Sequence, residues 1–186
     1  MCIRDRFSLS LVVAIAALVV ASAVLGDLYD NGSIVYVALR PVPSRVVAAA
    51  AWAASCTLVL PVAVVATLSV GLVHGGDGLL SATAIAALLG VAAYCALFVF
   101  IGVLVRRALP LGLAYLLLWE GFVSLAGDVG AAVSITGYLR SILAEVTGAD
   151  IEFAPFTLAA GIIVPASFTV VAIAATGWLL DRRELP

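Results

Sequence analysis

The sequence predicts an all-α integral membrane protein. Of its 186 residues 65% are hydrophobic and 11% are charged, with a mean hydropathy of +1.28. An ordinary soluble domain is about 45–50% apolar and about 25% charged, so a chain of this size could not bury so much apolar surface in water. Five apolar stretches are long enough to span a bilayer, which takes roughly 20 residues. They run over 7–26, 46–73, 79–105, 111–127 and 156–180. Strands of a membrane barrel are about 10 residues long and alternate polar with apolar side chains; these runs are longer and apolar all round.

The first run follows the charged opening Met1-Cys2-Ile3-Arg4-Asp5-Arg6. That opening can be read as the head of a signal peptide, with Ala21-Ser22-Ala23 as its cleavage site. The arginine distribution described below counts against this reading. Residues 1–6 also back-translate to a stretch resembling the transposon-end adapter of sequencing libraries. The expectation is a non-native leader over 1–6, with a single transmembrane domain over 7–186 and an earlier span missing.

The joint 27–45 reads DLYDNGSIVYVALRPVPSR. Asp30, Asn31 and Ser33 are N-cap residue types, and proline disfavours helix in the residue before it, so Arg40-Pro41 is a stop. Ile34, Val35, Ala38 and Leu39 share one helical face. A short capped helix over 31–39 is expected, lying either on lipid or against a partner. The second run contains Pro61 and the small-residue stretches Ala48–Ala51 and Ala53–Ser55, which suit close helix packing. A turn, His74-Gly75-Gly76-Asp77, leads to the third run. One His and one Asp are too few for a metal site.

Arg106-Arg107-Ala108-Leu109-Pro110 separates the third run from the fourth, which carries one charge, Glu120. Ten residues beyond Pro110, at about 1.5 Å each, Glu120 falls roughly 15 Å into the membrane, near its middle. An ionisable group at that depth is a functional candidate, as a proton site or gate, or a structural tie between helices. The joint 128–155 is the longest, and holds Asp128, Glu145, Asp150 and Glu152 against Arg140. Ile135, Leu139, Ile142, Leu143 and Val146 form one apolar stripe, which predicts a half-buried helix at the outer leaflet. The fifth run contains Pro165, and a tail of Asp181-Arg182-Arg183-Glu184 follows.

Arginine is the only basic residue type besides His74. Arg40, Arg45, Arg106, Arg107, Arg182 and Arg183 lie in joints that fall on one side of the membrane, and Arg140 is alone on the other. Positively charged joints stay cytoplasmic, so the C-terminus is expected inside and 128–155 outside. Arg4 and Arg6 then face the wrong way, which is the argument against a working leader. Without lysine there is no P-loop and no lysine Schiff base. The sequence also lacks the G-x-S-x-G hydrolase elbow, and its net charge of −2 gives no sign of nucleic-acid binding. No enzyme activity and no cofactor is expected. Cys56 and Cys95 sit in apolar runs and are expected as free, buried thiols.

Three blocks resemble ABC-2 type permeases, the membrane subunits of ATP-binding cassette exporters. The first is the 27–45 joint, through Asp30, Gly32, Ser33, Arg40, Pro41, Val42, Ser44 and Arg45, with Asp30 in place of a more usual Glu and Pro43 as a departure. The second is Cys95–Gly127, with its Arg106–Pro110 turn and Trp119-Glu120-Gly121. The third is Ser134–Ile142, SITGYLRSI. The resemblance extends from about Asp27 to Pro186. It implies six spans, of which five are present, and a homodimer or paired permease in the bacterial cytoplasmic membrane. It also implies a separate cytoplasmic ATP-binding subunit, docked on a coupling helix at 31–39 through Asp30, Gly32, Ser33, Arg40 and Pro41. Two rival readings are an ion-coupled secondary transporter with Glu120 as its proton site and a non-transport membrane scaffold.

Overall fold

The computed structural model describes residues 13–24, 43–74, 79–105, 108–120, 128–147 and 156–182, and among these the chain is helical with no strand. We number the helices α1 (Val13–Val24), α2 (Ser44–His74), α3 (Leu79–Leu104), α4 (Ala108–Glu120), α5 (Asp128–Val133), α6 (Ile135–Thr147) and α7 (Leu158–Arg182). Helices α2, α3 and α7 are long and apolar enough to cross a membrane. They coincide with the expected spans 46–73, 79–105 and 156–180 to within two residues at each end. Of the expected spans 7–26 and 111–127, the described parts are the shorter apolar helices α1 and α4. Residues 1–6, the expected helix over 31–39 and the candidates Asp30, Gly32, Ser33, Arg40 and Pro41 lie outside the described residues.

Helix α3 is the centre of the fold, packed against α2, α4, α6 and α7. Its side chains are buried on nearly every face below Gly90, among them Tyr94, Cys95, Phe98 and Val99. The flanking helices each offer α3 one stripe and turn the rest outward. On α2 the buried stripe is Ala48, Ala51, Ser55, Val59 and Ala63, and on α7 it is Gly161, Pro165, Thr169, Ala172 and Thr176. Both repeat every three to four residues, the spacing of one helical face. Both consist mostly of small residues, which let backbones approach where lipid offers no hydrophobic drive to bring helices together.

Two glycines show how close the approach is. A Cβ at Gly177 would lie 3.1 Å from the Arg45 Cα, and one at Gly161 would lie 3.2 Å from the Tyr138 carbonyl oxygen and 2.8 Å from Ile142 Cγ1. Hydroxyls within these stripes fold back on their own helix: Ser55, Thr169 and Thr176 donate to the carbonyls of Ala51, Pro165 and Ala172 at 2.8–2.9 Å. Each is thereby satisfied without water. Between α2 and α3 the Trp52 indole donates to the Ala92 carbonyl at 3.0 Å. Both α2 and α7 run unbroken through Pro61 and Pro165.

The outward faces carry Leu58, Val62, Val65 and Leu68 on α2 and Ile163, Phe168, Val170 and Val171 on α7, all exposed. Trp178 is exposed at the end of α7 with the Arg182 guanidinium 4.0 Å above its ring. Apolar side chains over most of a helix, ending in a Trp–Arg pair, are the distribution a lipid surface with its aromatic belt selects.

Candidate functional site

The polar centre of the molecule lies where α4, α3 and α6 meet. Helix α4 is α-helical over Ala108–Ala114 and continues as a π-helix over Tyr115–Glu120. A π turn closes hydrogen bonds from residue i to i+5, so side chains five apart come together. Tyr115 and Glu120 do so, with the phenol donating to Glu120 Oε1 at 3.4 Å. Glu120 is 4% exposed.

The other partners of Glu120 come from the start of α6. The backbone N–H of Ile135 donates to Oε1 at 3.1 Å and that of Thr136 to Oε2 at 3.3 Å. The Thr136 hydroxyl also donates to Oε2. Having given its one hydrogen there, Thr136 Oγ1 accepts from Tyr94 of α3, 3.1 Å away. A chain of hydroxyls therefore runs from α3 through α6 to the carboxyl on α4. Arg140, one turn along α6 from Thr136, is half-buried and within electrostatic range of Glu120.

This arrangement closes the accounts of a helix end. The first N–H groups of a helix have no partner inside it. In α6 the first two are taken by Glu120, and the third, that of Gly137, is taken by Ser134 Oγ at 3.0 Å. Ser134 is a buried N-cap of an ordinary kind; Glu120 is a cap supplied from another helix. On the other side of the turn, the last carbonyls of α5 are met as well. Trp119 Nε1 donates to Val133 O at 3.2 Å and the Tyr138 phenol to Ala132 O at 2.9 Å.

The site also fixes how deep the α5–α6 turn lies. Thr136 meets Tyr94, and Leu139 meets Gly90, so α6 runs antiparallel to α3. Tyr94 is 15 residues along α3, about 22 Å from its first residue. The turn thus reaches past the halfway point of α3. From there α6 returns along α3 and α7, its Ile135, Leu139 and Ile142 buried, Leu143 half-buried and Val146 exposed. The apolar stripe is present, and it packs into the helix core against α3 and α7. At its far end Glu145 accepts from the Leu158 N–H at 3.3 Å, capping α7 in turn. The Tyr138 and Phe156 rings stack with centroids 4.6 Å apart, holding α6 to the residues that lead into α7.

Of the residues singled out in the sequence, Glu120 is thus placed at the junction, and the two resembling blocks around Trp119-Glu120 and Ser134–Ile142 are brought together there. Sequence reasoning did not single out Tyr94, Tyr115, Thr136 or Ser134. The polar pair Ser134 and Thr136, immediately before an apolar stripe, is the one signal that points to a capped helix start. Cys56 and Cys95 are free thiols, half-buried and buried, within hydrogen-bonding reach of each other. Among the described residues no group of three His, Cys, Asp or Glu side chains could hold a metal ion.

Fold and site together define a protein of membrane character, helical throughout its described spans and organised around a buried interhelical carboxyl. No protein-family model, curated protein or solved structure matches the chain.

Proposed function

We propose that the chain is the membrane-spanning subunit of an ABC-2 type exporter, moving its substrate with ATP hydrolysed by a separate cytoplasmic subunit. In this reading it crosses the bacterial cytoplasmic membrane five times and pairs with a second permease. Its C-terminus is inside and the α5–α6 hairpin enters the membrane from outside. The observation that carries the reading is the meeting of the Trp119-Glu120 block with the Ser134–Ile142 block. Both blocks resemble that family, and they form one contiguous joint although Glu120 and Ile135 are 15 residues apart in the chain. A hairpin whose tip amides and carbonyls find side-chain partners also suits entry into lipid, where irregular backbone survives only when buried in protein.

The geometry weighs against Glu120 as an exchanging proton site. Two donors occupy each of its oxygens, three of the four belonging to α6, and the group is closed off from the surface. That occupancy favours a structural tie. The test is purification of the tagged protein from its host in mild detergent. The exporter reading expects a P-loop subunit to co-purify in a complex that hydrolyses ATP. Transport by the purified chain alone, driven by a proton gradient without ATP, would overturn it.

A further inference from the structure

We infer that the π segment Tyr115–Glu120 is a register switch that holds or releases the α5–α6 hairpin. Three observations combine. First, the segment departs from the α-helix that precedes it in the same element. π turns occur mostly as short insertions in α-helices, often at functional sites, and the α form is the alternative always open to the same residues. Second, relaxing to α would turn the end of the segment by about 100°, one residue of helix. Glu120's place would pass to Trp119, whose indole N–H can only donate, so the first two amides of α6 would lose their acceptor.

Third, the residues between are degenerate. Leu116 is buried, while Leu117 and Leu118 are exposed. The turn accumulates from Tyr115, so buried Leu116 moves least, and as Trp119 takes Glu120's place Leu117 takes Leu118's and Leu118 takes Trp119's, one exposed position for another. The packing of the segment is therefore nearly indifferent to register, and the choice rests with the bonds at its end: Tyr115 to Glu120, Glu120 to Ile135 and Thr136, and Trp119 to Val133. What favours π register also favours the docked hairpin, and by linkage anything that pulls the hairpin away favours α register. This inference does not require the exporter reading.

The test uses nitroxide labels on the whole protein in lipid nanodiscs, with Cys2, Cys56 and Cys95 replaced by alanine. Labels at Leu113 on α4 and Val146 on α6, both exposed, report hairpin distance. Single labels at Leu113, Leu117 and Leu118 report register through their oxygen accessibility. In Glu120→Ala the distance should lengthen by roughly one helix turn, about 5 Å, and the accessibility pattern beyond Tyr115 should shift by one residue relative to Leu113. Glu120→Gln, which keeps one acceptor oxygen, should move both readouts part of the way, and serves if the alanine variant does not fold. A lengthened distance with unchanged register would leave Glu120 a plain cap and overturn the inference. An unchanged distance would overturn it too.

Discussion

The α2–α3–α7 core and the α5–α6 turn solve the same problem by opposite means. In the core the amides beyond each helix's first turn are served within their own helix, and association rests mainly on surfaces that fit. Small residues at Ala48, Ala51, Gly161 and Gly177 supply the fit, and the few hydroxyls there bond to their own carbonyls. At the turn two helices end deep among the others, so amides and carbonyls are left over. Packing cannot satisfy them. Side chains from α4, from α6 and from the residue between α5 and α6 do: Glu120 and Ser134 for the amides, Trp119 and Tyr138 for the carbonyls. The core is thus sensitive to volume, and the turn to chemistry.

The contrast breaks most sharply at Glu120. Its replacement by alanine strips the acceptor from two buried amides and two hydroxyls at once, and unsatisfied buried groups cost about 1–3 kcal/mol each. We expect a loss on the order of 3 kcal/mol, read as an earlier unfolding midpoint in mixed detergent micelles followed by circular dichroism. Glu120→Gln should recover part of it. An alanine variant as stable as the parent would mean that the turn is not held by this carboxyl.

The core has the reverse signature. Gly177→Leu keeps every hydrogen bond but sets a side chain against the Arg45 backbone, where even a Cβ has only 3.1 Å. Overpacking of this kind costs typically 1–3 kcal/mol, and about 2 kcal/mol is expected by the same unfolding measurement. At the turn, Thr136→Val tests chemistry with volume nearly constant. It removes the hydroxyl between Tyr94 and Glu120 and should cost about 1 kcal/mol. If Gly177→Leu were harmless while Thr136→Val was as damaging as Glu120→Ala, volume and chemistry would not divide the molecule as proposed.

These two regions were also unequally legible. The core announced itself: long uncharged runs gave α2, α3 and α7 almost to their ends, because length and hydropathy alone determine what can span a bilayer. Glu120 stood out as the one charge in an apolar run. The structure sets this carboxyl beside Thr136, which meets Tyr94 of α3. Its role did not follow, because its partners lie 15 and 16 residues away on another helix and reach it only through a π turn. Hydrophobic periodicity carries no sign of a π turn in a row of leucines. The stripe on α6 predicted burial on one face correctly, but a stripe does not say whether it meets lipid or protein. Tyr94 shows the same gap: within an apolar helix it reads as one more large side chain, and its hydroxyl acquires meaning only when Thr136 is set beside it.

The finest test compares Glu120 with its counterpart Glu145. Both carboxyls accept from the first amides of a helix they do not belong to, Glu145 serving Leu158 at the start of α7. They differ in surroundings, since Glu145 is exposed where Glu120 is enclosed. At an exposed helix end water can replace a lost acceptor, and a favourable charge near the terminus contributes about 0.3–1 kcal/mol, screened by salt. Glu145→Ala should therefore cost about 0.5 kcal/mol at low ionic strength, and less in high salt. The Glu120→Ala loss should persist in high salt, because its contacts are sealed from counterions. Equal salt sensitivity at the two sites would show that the α5–α6 turn is wet, and that enclosure, more than the capping bond itself, had been misjudged as the source of its hold.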